Sequence, residues 1–445
     1  SNADMRIGLI LLACAIEACC ISLASLGDLR SQVLQFWTGF FPAFFCYALA
    51  AWLVLRRADG STYFILGAAL LFRLTLWWSP ATLSDDIFRY VWDGQVQLAG
   101  INPYLYPPSA PEVAHLREAL WQSVNHADIS TVYPPLAQFF FRAVCTLNPT
   151  PAAIKLALLL CDWGLCLLLV RSLVRRGQDP RRVLLYAWNP LPLIEVAGSG
   201  HIDALGILLL FLALHALQLR HLTTAVCALT AAFLTKLFPL ILVPTFWRRP
   251  GDRTLSAWLD PRPRKALLLF PVVVLVAFLP FADAGTQLIA GLRIYIQHWY
   301  FNAAAYSLIH YSLSPWDGNA HLHARWFCTA FFVFFALYTQ IRSRDPYRAT
   351  FISLGAYVLL SPTMHPWYLL WVLPFLPFFP HPAWLLFSGL IVLAYEVLMD
   401  YIHTGVWQEK TWVLWAQYAP FYIGLIATAY YRRFIKSNES APSDV

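Results

Sequence analysis

Long apolar runs separated by short polar stretches dominate the chain. Runs near 7–26, 36–55, 63–78, 152–170, 183–197, 201–219, 222–247, 266–282, 324–341, 349–362, 366–400 and 411–431 approach or exceed the length needed to cross a membrane. That length is roughly 20 residues for a helix spanning the hydrocarbon core. The pattern predicts an all-α, polytopic membrane protein of about 12–14 transmembrane or half-spanning helices. Two runs are long enough to be pairs of short spans, 222–247 broken at 236–239 and 366–400 broken at 380–382, where prolines interrupt them. No internal repeat and no soluble domain stands out, so residues 5–436 read as one membrane domain and 437–445 as a polar cytoplasmic tail.

Composition agrees: of 445 residues, 59% are hydrophobic and 12% charged, which makes lipid the main solvent. Ser1-Asn2-Ala3 reads as a tag-cleavage remnant, and the 7–26 run as a first span, since no small-residue cleavage site follows it. The nine cysteines lie mostly within apolar runs without metal-site or disulfide-scaffold spacing, and read as packing or lipid-facing residues.

A net charge of +7 would fit a nucleic-acid partner only if the charge formed a patch. Instead it falls in short clusters at Arg56-Arg57, 171–182, 248–265, 342–348 and 432–436, which the positive-inside rule places in the cytoplasm with both termini. No nucleic-acid role follows. The same threading sends 79–151, 198–200, 283–323, 361–365 and 401–410 to the outer face.

Two of these outer segments, 79–151 and 283–323, are far longer than ordinary connections, a mark of functional loops. The first carries amphipathic stretches at Asp86–Leu98 and 112–124, suited to lie in the interface. Of the 19 tryptophans, Trp78, Trp92, Trp299, Trp316 and Trp367 fall near the outer face, as an aromatic belt requires.

Candidate chemistry gathers on that face. Ser84-Asp85-Asp86 follows the third apolar run, and carboxylates there suit either a helix cap or a general base acting on a hydroxyl. Arg89, three residues on, is placed to pair with Asp86 or to meet a phosphate; the pairing would leave Asp85 as the base. Lys236 sits beside the break in a long apolar run, where it either binds phosphate or snorkels to headgroups. His201 and Asp203 follow Gly198-Ser199-Gly200 at a helix start; either the histidine bonds Asp203 or the two meet substrate. His365, before Pro366, is a phosphate or sugar contact or an interfacial turn residue.

The run Ser84-Asp85-Asp86-Ile87-Phe88-Arg89-Tyr90-Val91-Trp92-Asp93-Gly94, with Ala99-Gly100-Ile101-Asn102-Pro103-Tyr104 after it, closely resembles the first external loop of GT-C-fold glycosyltransferases. The likeness is to the polyprenyl-phosphate-mannose-dependent mannosyltransferases of bacteria and the GPI mannosyltransferase that adds the first mannose. It continues at Tyr133-Pro134-Pro135, Asn189-Pro190-Leu191, Gly200 to Ala204, Thr235-Lys236-Leu237-Phe238-Pro239 and His365-Pro366-Trp367-Tyr368. The resemblance implies a GT-C-type, multi-pass enzyme, here of the bacterial inner membrane, with its active site facing the periplasm or exterior. It implies transfer of a hexose, most often mannose, from a polyprenyl-phosphate donor to a glycan, lipid or glycolipid acceptor, with inversion. Asp85 or Asp86 would be the base, and Lys236, His201, His365 and Arg89 would contact the donor phosphate. Asn102, Tyr104, Tyr133, Asp203, Trp367 and Tyr368 would bind substrate.

Two other classes fit the same hydropathy: a transporter or flippase of polyprenyl-linked sugar, and a non-catalytic lipid-binding relative. The absence of an inverted repeat counts against the first, and the intact Asp85-Asp86 pair against the second. No cofactor or metal is expected, because adjacent acids on a helix diverge and His321-Leu322-His323 stands alone.

Overall fold

A computed structural model describes residues 2–56, 60–247 and 255–439, with the side chains of 2–5, 255 and 432–439 left undescribed. Ser1, Arg57, residues 248–254 of the 248–265 cluster, the side chains of the 432–436 cluster and the end of the tail therefore lie outside the description. The described residues form no strand beyond one isolated bridge, Phe301 with Thr363, and the architecture is an all-α, polytopic membrane fold.

The helix starts are written locally. Thr150-Pro151, Asp179-Pro180, Asn189-Pro190, Asp260-Pro261 and Asp345-Pro346 each put a capping side chain before a proline in the first helical position. The cap accepts from an otherwise unpartnered amide, and proline has no amide to lose. Helices α1 (Asn2–Ser25) and α2 (Val33–Arg56) form a hairpin; α3 (Thr62–Trp77) packs on α1 and leads to α4 (Asp86–Leu98), α5 (Pro135–Leu147) and α6 (Pro151–Arg175).

Among the described residues six helices are long and apolar enough to cross a membrane, or seven if Pro190–Gly198 with Asp203–Gln218, bent by 118°, counts as one. Five shorter apolar helices join them: α3, α5, Leu222–Phe233, Phe238–Trp247 and Pro366–Phe375. The expected break near 236–239 lies between the third and fourth of these, and residues 376–381 separate Pro366–Phe375 from Pro382–Thr404. Non-helical backbone at membrane depth persists only where protein encloses it, and residues 198–204 are all buried here. Lipid-facing surfaces stay apolar: Val272, Leu275, Val276 and Leu279 are exposed on the 38-residue Pro261–His298 segment.

Arg73 and Asp162, both fully buried, pair at 2.7 Å, and Arg73 Nη1 also donates to the carbonyls of Ala69 and Ala187. This pair ties α3 to α6 in the bilayer interior, where a lone charge would cost several kcal/mol, on the order of the penalty for an unpaired buried ion.

Three expectations change. Residues 112–124 form two short 3-10 turns, Pro111–Leu116 and Ala119–Ser123, because Arg117 is extended between them. Its guanidinium turns back to the carbonyls of Pro108 and Ala110 and lies over Trp121. The 283–323 segment is largely helical, through Ala290–His298 and Ala304–Leu313. Trp92 and Trp367 are buried rather than in an interfacial belt, whereas Trp78 and Trp316 are exposed.

Candidate functional site

The broken helices meet the start of α4. The chain turns at Gly200, whose φ of +75° is a left-handed value that glycine adopts freely. A Cβ there would lie 2.7 Å from Ile87 Cδ1 and 3.0 Å from Lys155 Cγ, so the glycine also lets α4 and α6 close on the turn. Buried Lys155 in turn donates to the carbonyls of Trp77 (2.9 Å) and Ser79 (2.5 Å), capping the end of α3 that feeds Ser84-Asp85-Asp86.

The two adjacent acids have different surroundings. Asp85 pairs with Arg30 from the α1–α2 loop, whose Nε also donates to Thr82. Asp86 has no ion pair with arginine or lysine among the described residues; Asn125 reaches its Oδ1 at 3.4 Å and His201 Nδ1 lies 3.8 Å from its Oδ2. Its side chain is 26% exposed. Burial beneath the outer loop, together with Asp203 and Asp85, pushes the Asp86 carboxyl up to about 6, against the opposing pull of Lys236 and Asn125.

Arg89 does not pair with Asp86. It donates to Asp93, four residues on, at 2.9 Å and to the Ile129 carbonyl, because one further turn brings Asp93 under its guanidinium. Thr131 and Gln138 complete the Asp93 carboxylate, so Arg89 is buried in a scaffold that holds the 125–131 loop and with it Asn125. These donations do not aim Arg89 at an open phosphate position.

Lys236, at the junction of two half-length helices, donates to Asp203 Oδ1 at 2.5 Å and lies 4.5 Å from the centre of the Tyr368 ring. The same oxygen accepts from Trp371 Nε1 at 2.6 Å, leaving buried Asp203 Oδ2 without a partner. Gly206 makes room for that indole: its Cβ would sit 2.7 Å from the ring. Tyr368 shares a hydrogen bond with Tyr295 (2.5 Å), which links the second long loop to the site.

His201, Trp367 and His365 form a parallel stack, with ring centres 4.0 and 4.2 Å apart. Burial first, and then Lys236, lowers His365 to about 3, so it offers N–H donation and no charge at neutral pH. His201 is fully buried; its Nε2 lies 3.3 Å from Glu195 Oε2, which places it behind Asp86 rather than at an open phosphate position. Glu195 stands on a π-helical turn, Leu193–Gly198, a distortion common at functional sites.

Asn102 and Tyr104 are engaged by protein: Asn102 donates to Asp283 and Phe281, and Tyr104 donates to the Tyr133 carbonyl. Asn102 thereby pins the first long loop to the start of the second, and Tyr104 ties the first loop to itself. Tyr133 meets Tyr90 edge-on at 5.1 Å, and Tyr90 OH accepts from the Ile202 amide, so these rings line the turn that carries His201. Among the described residues no three His, Cys, Asp or Glu side chains are grouped to hold a metal ion.

Residues 20–248, just over half of the chain, match the model of a protein family described as alpha-(1->6)-mannopyranosyltransferase, N-terminal domain. The matched stretch includes Asp85, Asp86, His201, Asp203 and Lys236 and ends before His365. No curated protein and no solved structure gives a significant match.

Proposed function

The chain belongs to the alpha-(1->6)-mannopyranosyltransferase family, and from that premise we propose that it moves mannose from a polyprenyl-phosphate carrier to an acceptor hydroxyl, forming an alpha-(1->6) link with inversion, with Asp86 as general base. The acceptor is a glycan, lipid or glycolipid. The enzyme is a multi-pass membrane glycosyltransferase; its setting in this reading is the bacterial inner membrane, with the site facing the periplasm, by the positive-inside rule.

The observation that carries the choice of base is the pairing of the neighbouring carboxylates. Asp85 is neutralised by Arg30, Asp93 by Arg89 and Asp203 by Lys236, whereas Asp86 keeps an oxygen open to a hydroxyl. A carboxyl near 6 is ionised at neutral pH yet basic enough to draw a proton as the sugar bond forms. Lys236 and Arg30, both partly exposed, are the cations for the leaving phosphate, and Trp371 keeps hold of Asp203 when Lys236 turns away. Tyr368, half-buried beside Lys236, presents its ring to the sugar, whereas Trp367, stacked between His201 and His365, supports the site from behind.

Asp86→Asn in nanodiscs supplied with polyprenyl-phosphate-mannose should lose about 10²–10⁴-fold in kcat, the usual span for a general base, while donor binding and melting temperature stay near wild type. Asp85→Asn should act mainly on donor KM. Normal turnover by Asp86→Asn would return the role of base to another group.

A further inference from the structure

Glu195 has no part in the mechanism above, yet it is a fully buried acid within a broken apolar span. Such a residue is expensive unless it is used. Its Oε1 accepts from Tyr395 OH at 2.7 Å. Its Oε2 has no hydrogen-bond partner and lies 3.3 Å from His201 Nε2, and neither His201 nitrogen has another partner. Across the ring, His201 Nδ1 lies 3.8 Å from Asp86 Oδ2. The ring cannot swing away: it is stacked on Trp367, and the His201 amide donates to the Glu195 carbonyl at 3.1 Å.

Three groups in line, carboxyl, imidazole and carboxyl, must share their protons in one order. Two anions facing a neutral imidazole from both sides would leave one nitrogen lone pair aimed at a carboxylate. The negative charge belongs on Asp86, which water reaches, and not on Glu195, which it does not. Glu195 then carries its proton on Oε2 and donates to Nε2, which leaves Nδ1–H pointing at Asp86. A buried carboxylic acid that stays neutral so as to donate has precedent in enzyme chemistry.

We propose that Glu195 is a positioning residue: as a neutral acid it fixes the His201 tautomer, so that His201 Nδ1–H holds Asp86 Oδ2, while Oδ1, which accepts only the long bond from Asn125, keeps a lone pair for the acceptor hydroxyl. Catalytic hydrogen bonds commonly tighten when substrate arrives, and a closing of about 1 Å brings the 3.8 Å approach into range. Besides His201, the groups facing Asp86 are Lys236, Asn125, Asp203 and Asp85; those facing Glu195 are Tyr395 and Asp203. The inference rests on Asp86 being the base.

The test compares Glu195→Gln, which still donates to Nε2, with Glu195→Met, which does not, by following mannosyl transfer against pH in nanodiscs. Glu195→Gln should keep kcat within about threefold and leave the acid limb in place. Glu195→Met should lower kcat by about 10–100-fold and move the acid limb up by about one pH unit, with donor KM unchanged, because Asp86 loses a donor to its ionised form. Should Glu195→Met fail to fold, His201→Gln against His201→Met makes the same comparison one step nearer the base. Equal losses in the Gln and Met variants, or a Met variant matching wild type, would overturn the proposal. Normal turnover by Asp86→Asn instead overturns the base itself, so the two failures are distinct.

Discussion

A carboxyl raised to about 6 gives opposite signs to activity and stability over one pH interval. The fold favours protonated Asp86, so this group's stabilising contribution is complete below about pH 4 and is lost as pH rises through 6. With Asp86 as the proposed base, catalysis needs the ionised form, so kcat/KM should rise tenfold per pH unit below the limb and level off above about pH 6. Rate and thermal-melt profiles recorded on one nanodisc preparation check this: the rate climbs between pH 5 and 7 while the melting temperature does not climb with it. A limb absent or near pH 4 would mean that a less buried group is the base. Asp85, Asp86, Lys236, His201 and His365 were legible because polar residues next to apolar runs stand out. Glu195 carried the same signal, an acid inside the 183–197 run, and Arg30 stood in the short turn after the first run. Pairing was not legible: Arg89 has acids three residues before it and four after it, and only the folded arrangement gives it to Asp93 and gives Arg30 to Asp85.

Hydropathy locates apolar segments well but does not distinguish one span from two half-helices, because both are equally greasy residue by residue. The prolines marked the breaks at 236–239 and 380–382. The bend at 198–203 is carried by a glycine turn whose need appears only in three dimensions. Gly200→Ala would meet both a left-handed φ and two side-chain atoms within 3.0 Å. It should cost about 1–3 kcal/mol of stability and, by pushing on Ile87 next to Asp86, lower kcat more than donor affinity. Gly67→Ala in α3, where a Cβ meets nothing within 4 Å, is the control. Equal melting temperatures and rates in the two variants would show that the turn tolerates a side chain.

Across the whole molecule α6 acts as a ruler. Its 25 residues span about 37 Å, with Lys155 beside the Gly200 turn at one end and Arg175 at the other. Next to that far end Arg176 pairs with Asp345 at 2.5 Å, so the 171–182 and 342–348 basic clusters share the face opposite Asp86. With those clusters in the cytoplasm, Ser109→Cys should react with an impermeant maleimide added outside intact cells, and Arg175→Cys only after permeabilisation. Labelling of both from one side would overturn the threading.

The half-length helices around Lys236 have a kinetic meaning as well. Leu222–Phe233 reaches about 18 Å, little more than half of a hydrocarbon core of roughly 30 Å, so in the proposed mechanism Lys236 would meet the donor phosphate below the level that full-length helices attain. On that reading the carrier never leaves the leaflet to be consumed. Its effective concentration is a surface density, and collisions occur in two dimensions. Diluting the vesicles in buffer leaves the rate per enzyme untouched, whereas diluting the carrier with other lipid slows it.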